Sequence, residues 1–279
     1  FEEGILTRLN EKLGLNAQPN LEKWNTLVER MSHAPKKVNI ALCGKYTKLE
    51  DSYASVIEAL HHAGAHVNVV PQIHWIETTF IEEGRLNVVD ALRGIDGIIV
   101  PGGFGSRGAE GKISVIQHAR ENNIPYLGLC YGMQLAVIEF ARNVCELPNA
   151  NSTEINPKTI HPIIDLLPEQ TKILEKGATM RLGGQDVEIK PETMAHALFG
   201  NVARLRFRHR YEVNPAYIEQ LEKAGLIFSG KAREREIMQI MELSTHPFFM
   251  ATQAHPELTS RLDKPCPMFH EFVNACVKK

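Results

Sequence analysis

The most constraining feature of this chain is the segment Ile124–Gln134, in which an apolar, strand-like run meets Gly128-Leu-Cys130-Tyr-Gly132 and then a helical pattern. A strand that turns directly into a helix forces the residue at the turn into a strained backbone conformation. Its neighbours must be small because the chain crowds itself there. Gly128 and Gly132 meet this requirement. The segment therefore predicts a nucleophile elbow with Cys130 at the turn.

The position of Cys130 also suits thiol chemistry. A thiol at such a turn points away from the sheet, and the amino end of the following helix favours the thiolate. The other cysteines lack the flanking glycines, and we interpret them as buried structural residues: Cys43, Cys145, Cys266 and Cys276. Five widely spaced cysteines without a C-x-x-C pair predict neither a zinc site nor a redox pair, and suit a reducing, cytosolic setting.

The segment His255-Pro-Glu257 is a candidate acid/base pair. A thiolate that attacks an amide needs a general acid for the departing amine, usually a histidine held by a carboxylate. Alternate residues of an extended chain share a face, and proline favours that geometry, so Glu257 is predicted to orient His255. Taken alone, this tripeptide among twelve histidines is equally consistent with a surface loop. The nearby elbow favours the catalytic interpretation.

A glycine-rich loop, Pro101-Gly-Gly-Phe-Gly105, follows another predicted strand. Nothing blocks the approach to backbone amides in such a loop, so the amides of Gly103 and Tyr131 are predicted to form an oxyanion hole. Residues Gly103–Gly108 also match the dinucleotide fingerprint G-x-G-x-x-G. That fingerprint expects an acidic residue about 20 positions further on, where this chain has its elbow cysteine. The sequence also lacks a G-x-x-x-x-G-K-[ST] motif, so we favour neither nucleotide-binding interpretation.

From Lys37 onward, short β-rich runs alternate with longer helical stretches, which predicts an α/β fold: a three-layer α/β/α domain with a central, mostly parallel sheet. We expect Asp51 to cap the helix Asp51–His62 and Gly64 to end it. Residues 145–200 are expected to form irregular loops with edge strands, including a mobile stretch over Gly177–Gly184. The remaining predicted elements are the strands Val38–Cys43, Val67–Pro71, Asp96–Val100, Ile124–Leu129, Arg206–Val213, Glu236–Glu242 and Phe248–Ala254, and the helices Ser114–Asn122 and Phe269–Val277.

The charge and hydropathy of the chain limit the kinds of partner that we expect it to bind. The 31 basic and 33 acidic residues give a net charge of -2, so nucleic acid is not a predicted partner. No apolar run approaches the ~20 residues that span a bilayer, so we expect a soluble, cytoplasmic protein with no membrane partner.

The chain opens on Phe1, and we expect it to be a piece of a longer protein. Helical spacing predicts a helical linker over residues 1–35, followed by the main domain over 36–279.

Together, the glycine-rich loop, the Cys130 elbow and the His255–Glu257 segment resemble the triad-type, class-I glutamine amidotransferases. Further segments are similar to the glutaminase domains of the CTP synthase family: Gly44-Lys-Tyr with Asp51–Leu60, Ala150–Glu154, Gly177–Gly183 and Arg208–Asn214. The similarity covers essentially the whole chain and implies a class-I amidotransferase-like, flavodoxin-like fold. One departure is Tyr131, where that family usually has leucine; a difference in pocket shape beside the nucleophile is expected.

The resemblance implies a role for each matched residue. Cys130 is the nucleophile, His255 the acid/base and Glu257 its orienting partner in hydrolysis of the glutamine side-chain amide through a thioester. Six residues are expected to contact the substrate: Gly102, Gly103, Phe104, Gln134, Glu154 and Arg210. A carboxylate suits the α-amino group of glutamine and a guanidinium its α-carboxylate, which fits Glu154 and Arg210. Thr179 and Arg181 correspond to a lid segment linked in the family to GTP activation; the neutral alternative for Arg181 is a flexible, exposed arginine.

The family also implies partners. Ammonia is expected to pass to a synthase domain of the same polypeptide, absent from these 279 residues, where UTP is activated by ATP and aminated to CTP. We expect no metal or organic cofactor in this chain; GTP is a possible allosteric activator, and ATP and Mg²⁺ belong to the synthase domain. The full-length protein is expected to be a homo-oligomer, specifically a tetramer.

Two alternatives stay open. One is another class-I amidotransferase or a γ-glutamyl hydrolase, against which the Arg208–Asn214 segment argues. The other is a regulatory or assembly module with negligible turnover.

Overall fold

Two helices precede the first strand of the chain. A computed structural model describes residues 4–45, 50–166, 181–233 and 235–278. Helix α1 (Ile5–Leu13) ends at Gly14, whose φ of 60° is a left-handed conformation that glycine adopts readily. Helix α2 (Glu22–His33) buries Leu27, whereas α1 buries none of its residues.

The strands of the described residues form two sheets. In chain order they are β1 (Lys36–Gly44), β2 (Val69–Glu77), β3 (Gly97–Val100), β4 (Tyr126–Leu129), β5 (Asn151–Ser152), β6 (Pro162–Asp165), β7 (Arg181–Ile189), β8 (Val202–His209), β9 (Glu212–Val213), β10 (Ile227–Ala232), β11 (Met238–Glu242) and β12 (Phe249–Thr252). Within the described residues, the large sheet has the order β2-β1-β3-β4-β12-β11-β10-β7-β8. Strands β5, β6 and β9 form a small separate sheet.

The large sheet is parallel in one half and antiparallel in the other. Strands β2, β1, β3, β4 and β12 pair in parallel, whereas β11, β10, β7 and β8 extend the sheet through antiparallel pairs. The parallel half is the one predicted from the alternation of strands and helices. It brings the carboxyl ends of β3, β4 and β12 to one edge, where open α/β sheets bind ligands.

Helices cover both faces of the parallel half, which confirms the three-layer fold. Along β1, Ala41 and Cys43 contribute to one apolar core, and Ile40 and Leu42 to the other. This alternation follows from the period of two in a strand. In the described part of the chain, the helices after α2 are α3 (Ala54–Val67), α4 (Thr78–Glu82), α5 (Val88–Ala91), α6 (Ala109–Glu121), α7 (Tyr131–Asn143), α8 (Met194–Phe199), α9 (Ile218–Lys223) and α10 (Pro267–Lys278). Helices α6 and α7 pack on the first core, and α3 and α10 on the second.

The predicted ends of the third helix are wrong. A 3₁₀ turn occupies Glu50–Tyr53, α3 starts at Ala54, and no side chain caps it. The helix also continues past Gly64 to Val67 and ends at Asn68, whose φ is 60°. Gly64 is required by packing, because a Cβ there would lie 2.7 Å from the carbonyl oxygen of Val69 on β2.

The carboxyl-terminal half of the chain contains more strand than predicted. Residues 181–184 belong to β7, which pairs with β8 over eight positions, so this part of the expected loop is regular. Residues 177–180 lie outside the described residues. The predicted strand Arg206–Val213 is two strands in different sheets, β8 and β9, and β10 was not predicted. Periodicity does not reveal such a break, because Arg210 and Tyr211 continue the alternation of polar and apolar residues.

Candidate active site

Cys130 occupies a strained turn between β4 and α7. Its φ of 50° and ψ of -97° are unusual for a residue with a side chain. A Cβ on Gly132 would lie 2.2 Å from the carbonyl oxygen of Val100, and one on Gly128 would lie 2.8 Å from the Ala251 Cβ. Both glycines are therefore required by close packing, and the local geometry is that of the predicted elbow.

The neighbouring strand β12 brings a histidine to this turn. The Cys130 N–H donates to the Thr252 carbonyl at 2.7 Å, which aligns the ends of β4 and β12. Three residues later, His255 donates its backbone N–H to the Arg206 carbonyl of β8 at 2.8 Å. The imidazole lies so close to the glycine-rich loop that a Cβ on Gly102 would be 2.9 Å from its Cε1.

His255 and Glu257 form a hydrogen-bonded pair. The imidazole Nδ1 lies 2.7 Å from Glu257 Oε1, and both side chains are largely buried. The contact is made across a 3₁₀ turn, Pro256–Thr259, and not along the extended segment that was predicted. Burial alone lowers the pKa of His255, but hydrogen bonds to Cys130 and Glu257 and their charges outweigh it and raise the pKa to about 10. The imidazole is thereby kept protonated beside the sulfur.

The glycine-rich loop is held from several sides. Lys45 Nζ donates to the Phe104 carbonyl at 2.5 Å, and the Tyr131 hydroxyl donates to the Gly105 carbonyl at 2.6 Å. The Gly105 N–H donates to Glu154 Oε1 at 3.2 Å. Tyr131 is the first residue of α7, so its N–H has no partner within the helix. The loop and the helix end thus meet beside Cys130 with backbone donors available.

A cavity of about 640 Å³ joins these groups to the predicted substrate contacts. It is lined by Cys130 and His255 together with Gly102, Gly103, Phe104, Gln134, Glu154 and Arg210. Burial raises the pKa of Glu154, an effect opposed by the Gly105 N–H and the Arg210 charge. Among the described residues, the buried atoms Arg210 Nε and Gln134 Oε1 have no hydrogen-bond partner. One of these atoms is a hydrogen-bond donor and the other an acceptor, so the cavity suits a polar, zwitterionic ligand that can pair with both.

The lid residues are placed differently from the cavity residues. Thr179 lies outside the described residues. Arg181, at the start of β7, forms an ion pair with the buried Glu212, whose carboxylate is also 3.0 Å from His209 Nε2. The Arg181 side chain is only 14% exposed, so a flexible, exposed arginine is the wrong description of this residue.

Two further residues at the site were not predicted. Gln253 donates its side-chain amide to Cys130 Sγ at 3.5 Å, and its Oε1 accepts from Gln134 Nε2 at 3.2 Å. Tyr211 lines the cavity and accepts a bond from Gln134 through its carbonyl. The period-two argument used for His255 and Glu257 gives no signal for Gln253, because a 3₁₀ turn replaces the extended segment; the pairing of β12 with β4 brings Gln253 to Cys130.

The family follows from a sequence comparison. Residues 48–275 match the profile of class-I glutamine amidotransferases. The chain belongs to this family. Within it, the amidotransferase chain is 39% identical to the acivicin-bound glutaminase domain of Trypanosoma brucei CTP synthase, with a TM-score of 0.80 and coverage of 87% of this chain and 94% of that one. It is a glutaminase domain of the CTP synthase type.

Curated relatives extend beyond this domain. The amidotransferase is 50% identical to the CTP synthase of Sulfurisphaera tokodaii and 51% identical to that of Thermococcus gammatolerans, each over 98% of this chain. It spans about half the length of these relatives, 52% and 51%. Among the residues the structure describes, no helix is long and apolar enough to cross a membrane.

Proposed function

We propose that this domain hydrolyses glutamine to glutamate and ammonia through a thioester on Cys130. The observation that carries the proposal is the convergence of the strained Cys130, the Glu257-bonded His255 and the side chains of Gln134 and Arg210, each with one unpartnered buried atom, in one cavity. Glu154 is suited to the α-amino group of glutamine and Arg210 to its α-carboxylate. The side-chain amide then extends toward Cys130.

The reaction follows from these positions. The Cys130 thiolate attacks the amide carbon, and the amides of Gly103 and Tyr131 stabilise the negative oxygen. Imidazolium His255 donates its Nε2 proton to the departing nitrogen, which leaves as ammonia. The neutral imidazole then takes a proton from water, whose oxygen attacks the thioester, and Cys130 and glutamate are released. Glu257 keeps Nδ1 bonded and Nε2 directed at the reacting atoms throughout.

Mass spectrometry after exposure to a glutamine-analogue electrophile tests this assignment. We expect one adduct, mapped to Cys130, with protection by glutamine and complete loss in Cys130→Ala. The matched control is Cys145→Ala, which removes a free thiol that is more exposed than Cys130 and should leave the adduct in place. Labelling that persists in Cys130→Ala, or wild-type protein that is neither labelled nor active on glutamine, overturns the proposal.

For the whole protein, we propose that the ammonia passes to a synthase domain of the same polypeptide that uses ATP and Mg²⁺ to aminate UTP to CTP. The names and lengths of the relatives support this extension. We further propose a cytoplasmic, homo-oligomeric protein, with a tetramer as the expected form. Size-exclusion chromatography with light scattering on the full-length protein tests the oligomeric state.

We also propose that GTP activates the domain through the lid segment that contains Thr179 and Arg181. A second cavity of about 620 Å³, which shares His255 and Arg208 with the first, supports this role. It is lined by Leu182 and Gly183 of β7 and by Arg206 and Arg208 of β8, so two cations face a space large enough for a nucleotide. Glutaminase assays with and without GTP, in wild type and Arg181→Ala, test it.

A further inference from the structure

Lys112 is a buried cation that the proposed mechanism does not use. Its side chain is 1% exposed and lies in the amino-terminal turn of α6, where the helix dipole disfavours positive charge. Within the described ranges it forms no salt bridge with a carboxylate. Burial and then the nearby Lys45 charge lower the pKa of Lys112 to about 8. A methionine of similar length would fill the same space without these costs.

The ammonium faces both residues of the proposed oxyanion hole. Lys112 Nζ lies 5.1 Å from the centroid of the Tyr131 ring, within the range of a cation–π interaction. It also lies 3.6 Å from the point that a Cβ on Gly103 would occupy. The Tyr131 hydroxyl in turn holds the Gly105 carbonyl, so ring, ammonium and loop form one connected group.

We propose that Lys112 is a positioning residue for glutamine hydrolysis, whose ammonium holds the Tyr131 ring and the Gly103 peptide so that their amides converge on the oxyanion. This inference rests on the proposed function. A positive charge behind the two amides also favours negative charge in front of them, and this effect is greater in a site shielded from water. Because the negative oxygen exists only near the transition state, Lys112 acts on kcat and not on the binding of glutamine.

Substitution by methionine isolates the charge. We expect Lys112→Met to lower kcat about tenfold, less than the loss of a direct oxyanion donor, with KM for glutamine within about twofold of wild type. The control Lys158→Met removes the same charge from an exposed loop and leaves kcat unchanged. Thermal melting shows whether each variant is folded.

The pH profile separates positioning from simple packing. Other charged or titratable groups near Lys112 are Cys43 on β1, Lys45 directly after β1, Glu77 on β2, Glu82 on α4 and the Tyr131 phenol on α7. As pH rises through about 8, wild-type Lys112 loses its proton, so kcat should fall there, and this limb should be absent in Lys112→Met.

An unchanged kcat in a folded Lys112→Met variant overturns the inference. A wild-type kcat that does not fall as pH rises above about 8 also overturns it, and this second test does not depend on the folding of the variant. Labelling of Cys130 and activity of the wild type are measured first. Their absence overturns the proposed function, whereas an active wild type with an indifferent Lys112→Met overturns only the role of Lys112.

Discussion

Replacing Glu257 by glutamine should lower the pKa of His255 by about two units. The two groups are 2.7 Å apart, and unit charges at that separation attract by about 6 kcal/mol at an effective dielectric constant of ~20. Each charge is spread over two atoms and the imidazole is 18% exposed, so we take about half of this energy, ~3 kcal/mol or about two pKa units. From about 10, the pKa should therefore fall to about 8 in Glu257→Gln.

The sign of the effect on stability follows from the raised pKa. A histidine whose folded-state pKa is about 10 stabilises the fold fully below its ordinary value of 6.5, and this contribution is lost as pH rises through 10. In Glu257→Gln this stabilising contribution should be lost completely at a pH about two units lower than in the wild type.

Nuclear magnetic resonance of the ¹⁵N-labelled imidazole is the direct assay. The His255 resonance is identified by its absence in His255→Asn and followed between pH 5 and 11. Glutaminase activity in Glu257→Gln should fall about 10³-fold at pH 7, because the glutamine amide cannot hold the imidazole in the required orientation. The control Glu219→Gln removes the same charge at an exposed site and should leave the His255 pKa in place. A His255 pKa in Glu257→Gln within half a unit of wild type would refute the electrostatic argument.

Two further changes test the close packing around the site. Gly102→Ala places a Cβ 2.9 Å from His255 Cε1, so the imidazole must shift. We expect kcat to fall about 100-fold while the melting temperature stays unchanged. A Gly102→Ala variant that keeps the wild-type kcat would contradict the argument from this contact. Gly132→Ala places a Cβ 2.2 Å from the rigid Val100 carbonyl and should lower the free energy of unfolding by about 1–3 kcal/mol in urea titrations. Gly184→Ala, whose nearest neighbour is the flexible Arg204 side chain at 3.4 Å, is its control, and equal stability of both variants contradicts the argument.

The amino-acid sequence alone determined the features that depend on neighbouring residues. The strand, the cysteine flanked by glycines and the helix are contiguous in Ile124–Gln134, and the turn imposes its requirements over five residues. The His255–Glu257 contact is likewise local, although the chain makes it through a 3₁₀ turn. The parallel half of the sheet was also predictable, because strands that alternate with helices have few other ways to bury their apolar faces.

Only the tertiary structure decided how distant segments meet. Cys130 and His255 approach each other because β12 pairs with β4, although they are 125 positions apart in the chain, and local periodicity contains no information on strand order. For the same reason, the antiparallel half of the sheet, the role of Gly64 against β2 and the ion pair of Arg181 with Glu212 could not be predicted. Lys112 shows the limit most clearly: a lysine in an amphipathic helix is expected at the surface, and only the packing of α6 beneath the glycine-rich loop buries it behind the site.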